Sequence, residues 1–305
     1  MGFSSELVEK VLQENGEDDA NIILETLFKY SVFSALKRKE GYLHNLPTET
    51  RHHIQSSMPM SIEGVVPITR NWWPLWDPRR QLNSKILADM TGISQVCENL
   101  ERRVKDSHGR LSTHDQNLIL NQCGQLNLIW VGQNKLSPLE PDQLEKVLGY
   151  PINHTHLADL DLSRRLRTME HCFQTDTIGY ILSPLKDLYP DGLRILSLYT
   201  GIGGAEVALS RLGLHLKCVV SVEMSEVNRK IFKRWWVSTR QSGELRQIDD
   251  VTKLTLQLLE EFVGEFGGFD LVVGAHLQET CVGCTDLFFE FYRVVTQLNA
   301  IRLFG

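Results

Sequence analysis

The chain predicts an α/β fold on a parallel sheet, and three observations carry that prediction. From Leu193 onward, apolar runs of strand length alternate with segments of helical periodicity. That alternation marks a sheet covered on both faces. The first run, Ile195-Leu196-Ser197-Leu198-Tyr199, passes into the glycine turn Thr200-Gly201-Ile202-Gly203-Gly204. Twenty residues past Gly203, after the second apolar run Cys218-Val219-Val220-Ser221-Val222, stands Glu223. Open sheets place a ribose-binding acid at about this distance from the glycine turn.

The elements follow in order. Strands are expected at 195–199, 217–222, 245–248 and 269–273, with helices at 204–212, 225–238, 253–266 and 286–300. Ahead of them the pattern is mixed. Leu7, Val8, Val11 and Leu12 form a helical stripe over 4–14, capped by Ser4 or Ser5 and stopped by Asn15-Gly16. Ala20, Ile23, Leu24, Leu27 and Phe28 do the same over 19–29. Two such helices are too little for an independent core. Residues 126–132 read as a strand ending in a turn. Residues 138–148 read as a helix burying Leu139, Leu144, Val147 and Leu148, closed by Gly149 and Pro151, and 174–188 as another. Trp72-Trp73-Pro74-Leu75-Trp76-Asp77 has two readings. It is a hydrophobic plug under a loop, or a stacking or groove surface for nucleic acid.

Composition narrows the class. The 305 residues suffice for one large or two ordinary domains, and 42% hydrophobic with 23% charged residues is globular. No apolar run reaches the ~18 residues of a membrane span. Met1 to Lys10 lacks the basic and apolar regions of a signal peptide. Glu6 stands where a myristoylation motif has Ser or Thr. A cytosolic or nuclear chain with reduced cysteines is expected. The six cysteines are scattered, and Cys281-Val282-Gly283-Cys284 has no second pair to complete a zinc site. Of the net charge of −6, residues 1–28 hold seven acids and one base, leaving a neutral body. Basic groups remain at Lys37-Arg38-Lys39, Arg79-Arg80, Arg102-Arg103 with Lys105, and Arg164-Arg165 with Arg167. Each is a solvated helix face or a nucleic-acid contact.

The glycine turn and two acids suggest the ligand. Ligands of such sheets sit beyond the carboxyl ends of the strands. Gly201, Gly203 and Gly204 allow a sharp turn and close approach. Glu223 is placed for two ribose hydroxyls, and Asp249 or Asp250 for the base edge. A dinucleotide fingerprint wants G-x-G-x-x-G, whereas this turn reads Gly201-Ile202-Gly203-Gly204-Ala205-Glu206. Glu206 is expected near a pyrophosphate position and would repel it. S-adenosylmethionine, a sulfonium without phosphate, suits the turn better.

Met1-Gly2-Phe3 and the two helices after it resemble the ubiquitin-associated domain without its first helix. That resemblance implies ubiquitin contacts at Met1, Gly2, Phe3, Leu27 and Phe28. From Leu196 to Leu209, then Val220-Ser221-Val222-Glu223, then Gly267-Gly268-Phe269-Asp270-Leu271-Val272-Val273-Gly274, the chain resembles the plant domains rearranged DNA cytosine-5 methyltransferases. Gly41-Tyr42-Leu43-His44-Asn45-Leu46-Pro47, Trp72-Trp73-Pro74, Trp130-Val131-Gly132, Leu139-Glu140-Pro141-Asp142 and Gly149-Tyr150-Pro151 agree with it. The resemblance implies a circularly permuted class I, Rossmann-like methyltransferase fold behind a short helical remnant. Its divisions would be 1–30 (partial ubiquitin-associated domain), 31–190 (target-recognition and closing motifs) and 191–305 (cofactor half). It implies S-adenosylmethionine contacts at Gly201, Gly203, Gly204, Glu223 and Asp250.

The chain departs from that family in its chemistry. The reaction adds a cysteine thiolate to C6 of a flipped cytosine. The family supplies it as Pro-Cys after the fourth strand, and those positions here are Leu277 and Gln278. Cys281 lies three residues on and is the weak substitute. No Glu-Asn-Val motif occurs, and Glu14-Asn15-Gly16 is a poor replacement. Glu170-His171-Cys172-Phe173 stands where the family has Gly-Asn-Ser-Phe, while Gln95, Arg102 and Arg103 partly match its Gln/Arg motif. The expected protein is a non-catalytic homologue. It would act in the nucleus in RNA-directed DNA methylation, with DNA, an active paralogue or a second copy, and the silencing machinery as partners. The alternatives are an active enzyme using Cys281 or Cys284, and a truncated product without independent function.

Overall fold

A computed structural model of the protein describes residues 35–37, 42, 44–47, 51, 52, 54, 61–83, 86, 89–274 and 284–304. These fall into two compact units. The expected helices over 4–14 and 19–29 lie outside the described residues.

One unit holds described residues 35–37 and 61–170. It opens with strand β1 (Leu36–Lys37), helix α1 (Ile62–Val65), a 3₁₀ turn (Pro67–Asn71) and β2 (Leu82–Asn83), which pairs in parallel with β1. Helices α2 (Ile93–Asp106) and α3 (Thr113–Gln125) follow, then the antiparallel pair β3 (Ile129–Gly132) and β4 (Lys135–Ser137). Helices α4 (Pro141–Leu148) and α5 (Leu162–Met169) close the unit. Pro141 at the helix start and left-handed Gly149 (φ 78°) at its end set the bounds of α4. The expected strand over 126–132 is shorter in the structure, because Asn127 is left-handed (φ 50°) before β3. Its core joins Ile93, Cys97 and Leu100 of α2 to Ile119, Cys123, Leu128, Trp130 and Leu136. Sequence reading missed α2, although Ile93, Cys97, Leu100 and Val104 carry helical spacing.

The tryptophan cluster divides between core and surface. Trp73 and Trp76 pack against this core, and Trp76 meets Trp130 edge-on with centroids 5.8 Å apart. Trp72 and Leu75 stay exposed. Asp77, fully buried, accepts Trp130 Nε1 at 2.8 Å and Arg79 Nη2 at 2.7 Å. Arg165 is likewise internal, donating to Asp142 at 2.6 Å and Glu145 at 3.0 Å. Two of the basic groups therefore lose a member to the interior.

The other unit holds described residues 42–54 and 171–304. Its elements are α6 (Thr175–Leu182), α7 (Leu185–Leu188), β5 (Leu193–Leu198), α8 (Gly204–Arg211), β6 (Leu216–Val222), α9 (Glu226–Ser238), β7 (Glu244–Ile248), α10 (Leu256–Phe266), β8 (Leu271–Gly274) and α11 (Cys284–Phe304). The single helix expected over 174–188 is broken at Ser183–Pro184, since proline removes a helical donor. The helix expected from 253 starts at Leu256, where Thr255 accepts Leu258 N at 3.2 Å as its cap. The division between the compact units falls at 170/171 in the chain, and within the sheet unit α6 packs on α8.

The strands form a parallel four-stranded sheet in the order β7-β6-β5-β8. Counted from β5, this is 3-2-1-4, the order of one half of a doubly wound sheet and its switch point. Alternate residues face opposite sides. Leu196, Leu198, Val220 and Val222 join Leu259, Phe262 and Val294 in one core layer. Ile195, Ser197, Val219 and Ser221 are buried on the opposite face. This is a doubly wound α/β unit. Among the described residues, no helix is long and apolar enough to cross a membrane.

Candidate functional site

The site grows from the carboxyl ends of three neighbouring strands. β5 leaves the sheet through Tyr199, whose backbone is left-handed (φ 57°). Thr200 N donates to Val222 O at 3.1 Å, and Gly203 N to Thr200 O at 3.1 Å, which closes the turn. Below it Ser221 Oγ donates to Thr200 Oγ1 at 3.0 Å. Gly203 is required twice. Its φ is 85°, and a Cβ there would lie 2.4 Å from the Phe232 ring of α9. Gly201 (φ 58°) has no atom within 4 Å of a built Cβ, so its outer side is open to an approaching molecule. Gly204 opens α8.

Glu223 follows β6, and its carboxylate closes on the turn. Oε2 accepts Gly201 N at 2.8 Å, and Oε1 accepts Ser225 N at 2.8 Å. Oε1 also accepts Asn228 Nδ2 at 3.3 Å, so it is Oε2 that keeps room for a further donor. Arg229 Nη1 donates to the carbonyls of Glu223 at 2.6 Å and Met224 at 2.7 Å, fixing the rim. Met224 is 75% exposed beside Glu223, an apolar surface that sequence reading missed.

Past β7, the two acids left open by the sequence part company. Asp249 pairs with Lys253 Nζ at 2.6 Å. Asp250 caps the following 3₁₀ turn by accepting Thr252 N at 2.9 Å. Those hydrogen bonds from Thr252 hold its carboxyl below the usual carboxylate range. Among the described residues Asp250 has no ion-pair partner, which makes it the acid open to a neutral donor. The structure thus gathers Gly201, Gly203, Gly204, Glu223 and Asp250 along one end of the sheet.

One electrostatic expectation changes in the structure. Glu206 is fully buried. Its position on α8 turns it toward Ser197 of β5, and burial pushes its carboxyl up to about 7. A carboxyl so raised is partly neutral at pH 7, which weakens its repulsion of a phosphate and leaves glycine spacing as the stronger argument against a dinucleotide.

Two further residues tie the site to α11. Tyr199 Oη donates to Leu287 O at 2.7 Å, and burial pushes its hydroxyl up to about 12. Arg293 donates to Leu254 O at 2.8 Å and Val251 O at 3.2 Å, on the turn after Asp250. Neither contact has a sequence signature, because each spans tens of residues. Elsewhere in the unit, Phe173 stacks on Tyr42 with centroids 6.4 Å apart, joining two of the segments quoted above. Gln95, Arg102 and Arg103 lie on α2, where Gln95 bonds Asn99 and Arg103 pairs with Asp115 at 2.8 Å. Among the described residues no His, Cys, Asp and Glu cluster could hold a metal. Leu277, Gln278 and Cys281 lie outside the described residues, as do Met1, Gly2, Phe3, Leu27 and Phe28.

A parallel sheet with a glycine turn and two successive acids is common to many enzymes, and comparison with known proteins narrows it. The chain is 52% identical over 279 residues to the probable inactive DNA (cytosine-5)-methyltransferase DRM3 of Oryza sativa subsp. japonica, covering 88% of this chain and 41% of that protein. The chain is homologous to plant DNA (cytosine-5)-methyltransferases. A protein of the same description from Arabidopsis thaliana is 49% identical over 278 residues, covering 87% of this chain and 39% of its own length. The DNA (cytosine-5)-methyltransferase DRM2 of Oryza sativa subsp. japonica is 43% identical over 287 residues, covering 88% and 46%. The chain thus spans about two fifths of the curated relatives it matches. No protein-family model matches it. Relatives named inactive stand beside relatives named as enzymes, and the two DRM3 proteins share more residues with this chain than the DRM2 protein of Oryza sativa does.

Proposed function

We propose that this chain is a non-catalytic member of the domains rearranged DNA cytosine-5 methyltransferases, circularly permuted, which keeps an S-adenosylmethionine site. The observation that carries the reading is the closure of Glu223 on Gly201 at 2.8 Å. A ligand-shaped turn is maintained, while the sequence places Gln278 where the family carries its nucleophile. Glutamine cannot form the C6 adduct. The names of the relatives sharing 52% and 49% identity support the same reading.

The residues fit an adenosyl sulfonium. Glu223 and Asp250 accept hydroxyl and amino donors, Met224 offers an apolar face, and the turn beside Gly201 admits close approach. S-adenosylmethionine supplies an electrophilic methyl group when bound. Glu223 would hold the ribose, Asp250 the base edge, and Gly201 to Gly204 the chain beyond the ribose. With no thiolate at position 278, this chain's part ends at binding. Its role is then that of a partner to an active paralogue on DNA, in RNA-directed methylation in the nucleus.

Calorimetric titration with S-adenosylmethionine and S-adenosylhomocysteine tests the site, with Glu223→Ala as control. Binding lost in the variant, with no methyl transferred to DNA, is the expected result. Methyl transfer that Cys281→Ala or Cys284→Ala abolishes would overturn the non-catalytic reading. Failure to co-purify with an active paralogue would overturn the partner role.

A further inference from the structure

The loop carrying the tryptophan cluster presents a surface that no role has yet absorbed. Between Gly64 and Ala88 the sequence holds four bases (Arg70, Arg79, Arg80, Lys85) and one acid, Asp77. That acid is fully buried and neutralised by Arg79 at 2.7 Å. The remaining charge on this stretch is therefore positive, within a chain of net charge −6. Arg70 and Arg80 are exposed, and neither is in an ion pair among the described residues.

The same loop holds apolar side chains in solvent. Trp73, Trp76 and Asp77 turn inward, which leaves Trp72 39% and Leu75 fully exposed. Ile68 is 51% exposed ahead of them. This exposure is built in rather than slack. Asp77 N bonds Pro74 O at 3.0 Å, Trp73 Nε1 bonds Asp77 O at 3.1 Å, and the Arg79 guanidinium lies 5.2 Å from the Trp73 ring centre. This turn carries exposed Leu75 between Arg70 and Arg80 in the chain, which matches a polyanion whose stacked bases an apolar wedge can part. Duplex DNA is such a polyanion. Arginines contact its phosphates, and Leu or Pro wedges enter its minor groove and part base steps. A protein partner would need acids opposite two separated arginines and a wider apolar patch.

We propose that the turn from Trp72 to Arg80 is a docking tip for duplex DNA, with Arg70 and Arg80 on phosphates and Leu75 and Trp72 against the groove. This deepens the reading of the chain as a DNA-directed protein and is independent of its cofactor site. The test is fluorescence anisotropy of a labelled duplex with the full chain across a salt series. Arg70→Gln with Arg80→Gln should weaken binding and reduce the slope of log K against log salt by about 2, near 0.9 per phosphate contact. Leu75→Ser should weaken binding about fivefold or more with the slope unchanged. Leu75 has no packing to lose, so that variant keeps the fold, as circular dichroism can verify. Trp72→Ala gives the same readout. Wild-type and variant proteins binding DNA alike would overturn the proposal, as would a wild-type chain that does not bind duplex at low salt. A Leu75→Ser variant that holds DNA but loses the paralogue would overturn it in favour of a protein site. Titrating S-adenosylhomocysteine on the same variants separates the two readings, because the tip variants should bind it as the wild type does.

Discussion

Glu223 Oε2 stands 2.8 Å from the backbone nitrogen of Gly201, while its other oxygen takes Ser225 N at the same distance. One carboxylate thus serves two backbone donors from two different turns. Glutamine at this position must present an amide N–H to one of them, donor against donor. Glu223→Gln should therefore lose about 1 kcal/mol of stability, because the mismatched pair is only half-buried. It should also weaken S-adenosylhomocysteine binding at least about tenfold. A thermal melt and a calorimetric titration of the same sample check both.

Gly203 meets Phe232 with no room for a methyl group. Gly203→Ala places a Cβ 2.4 Å from the ring and forces an L-residue to φ 85°. Left-handed strain alone costs about 1–3 kcal/mol, and the ring must move as well. The expected outcome is a lower unfolding midpoint in urea together with loss of cofactor binding. Gly201→Ala, which clashes with nothing, should cost only the strain.

Glu206 makes stability fall with rising pH. Its carboxyl titrates at about 7 in the folded chain, against 4.5 for the free group, because burial disfavours its charge. The folded state then holds the proton more tightly than the unfolded state. Its contribution is fully present below pH 4.5, declines between 4.5 and about 7, and is flat above. The total change is on the order of 3 kcal/mol. Glu206→Gln mimics the neutral acid and should flatten that part of the stability profile. Chemical denaturation at pH 5 and pH 8 compares the two, and a wild-type profile unchanged by the substitution would refute the assignment.

Asp77 anchors its unit through Trp130 and Arg79. Asp77→Ala leaves the Arg79 guanidinium, 14% exposed, without its acid. Breaking such a buried pair from one side costs about 3–5 kcal/mol. Urea unfolding followed by tryptophan fluorescence should show that loss, with Trp130 as one reporter. Asp77→Asn, which keeps an acceptor for the indole N–H, should lose less.

The sheet unit was legible because its signals are local. The strand and helix bounds from Leu193 onward depend on apolar periodicity, and the turn at Gly201–Gly204 on residues whose backbone needs are intrinsic. The spacing from Gly203 to Glu223 carries the strand-turn-helix-strand geometry within one short stretch. The first half was harder to read. Helix α2 has its apolar stripe among six charged residues. The helix expected over 174–188 hid its break at Pro184 behind continuous apolar spacing.

What the sequence by itself determined was the α/β class, the order of the sheet elements and the identity of the turn and its acids. Only the tertiary structure decided which acid is open. Lys253 takes Asp249 and leaves Asp250. It also turned Glu206 into the interior, drew Arg79 and Arg165 out of their basic groups, and divided the tryptophans between core and surface. The reason is physical. Periodicity and turn chemistry act through neighbours in the chain. The state of a side chain depends on partners brought by folding, as Trp130 is brought to Asp77 across 53 residues.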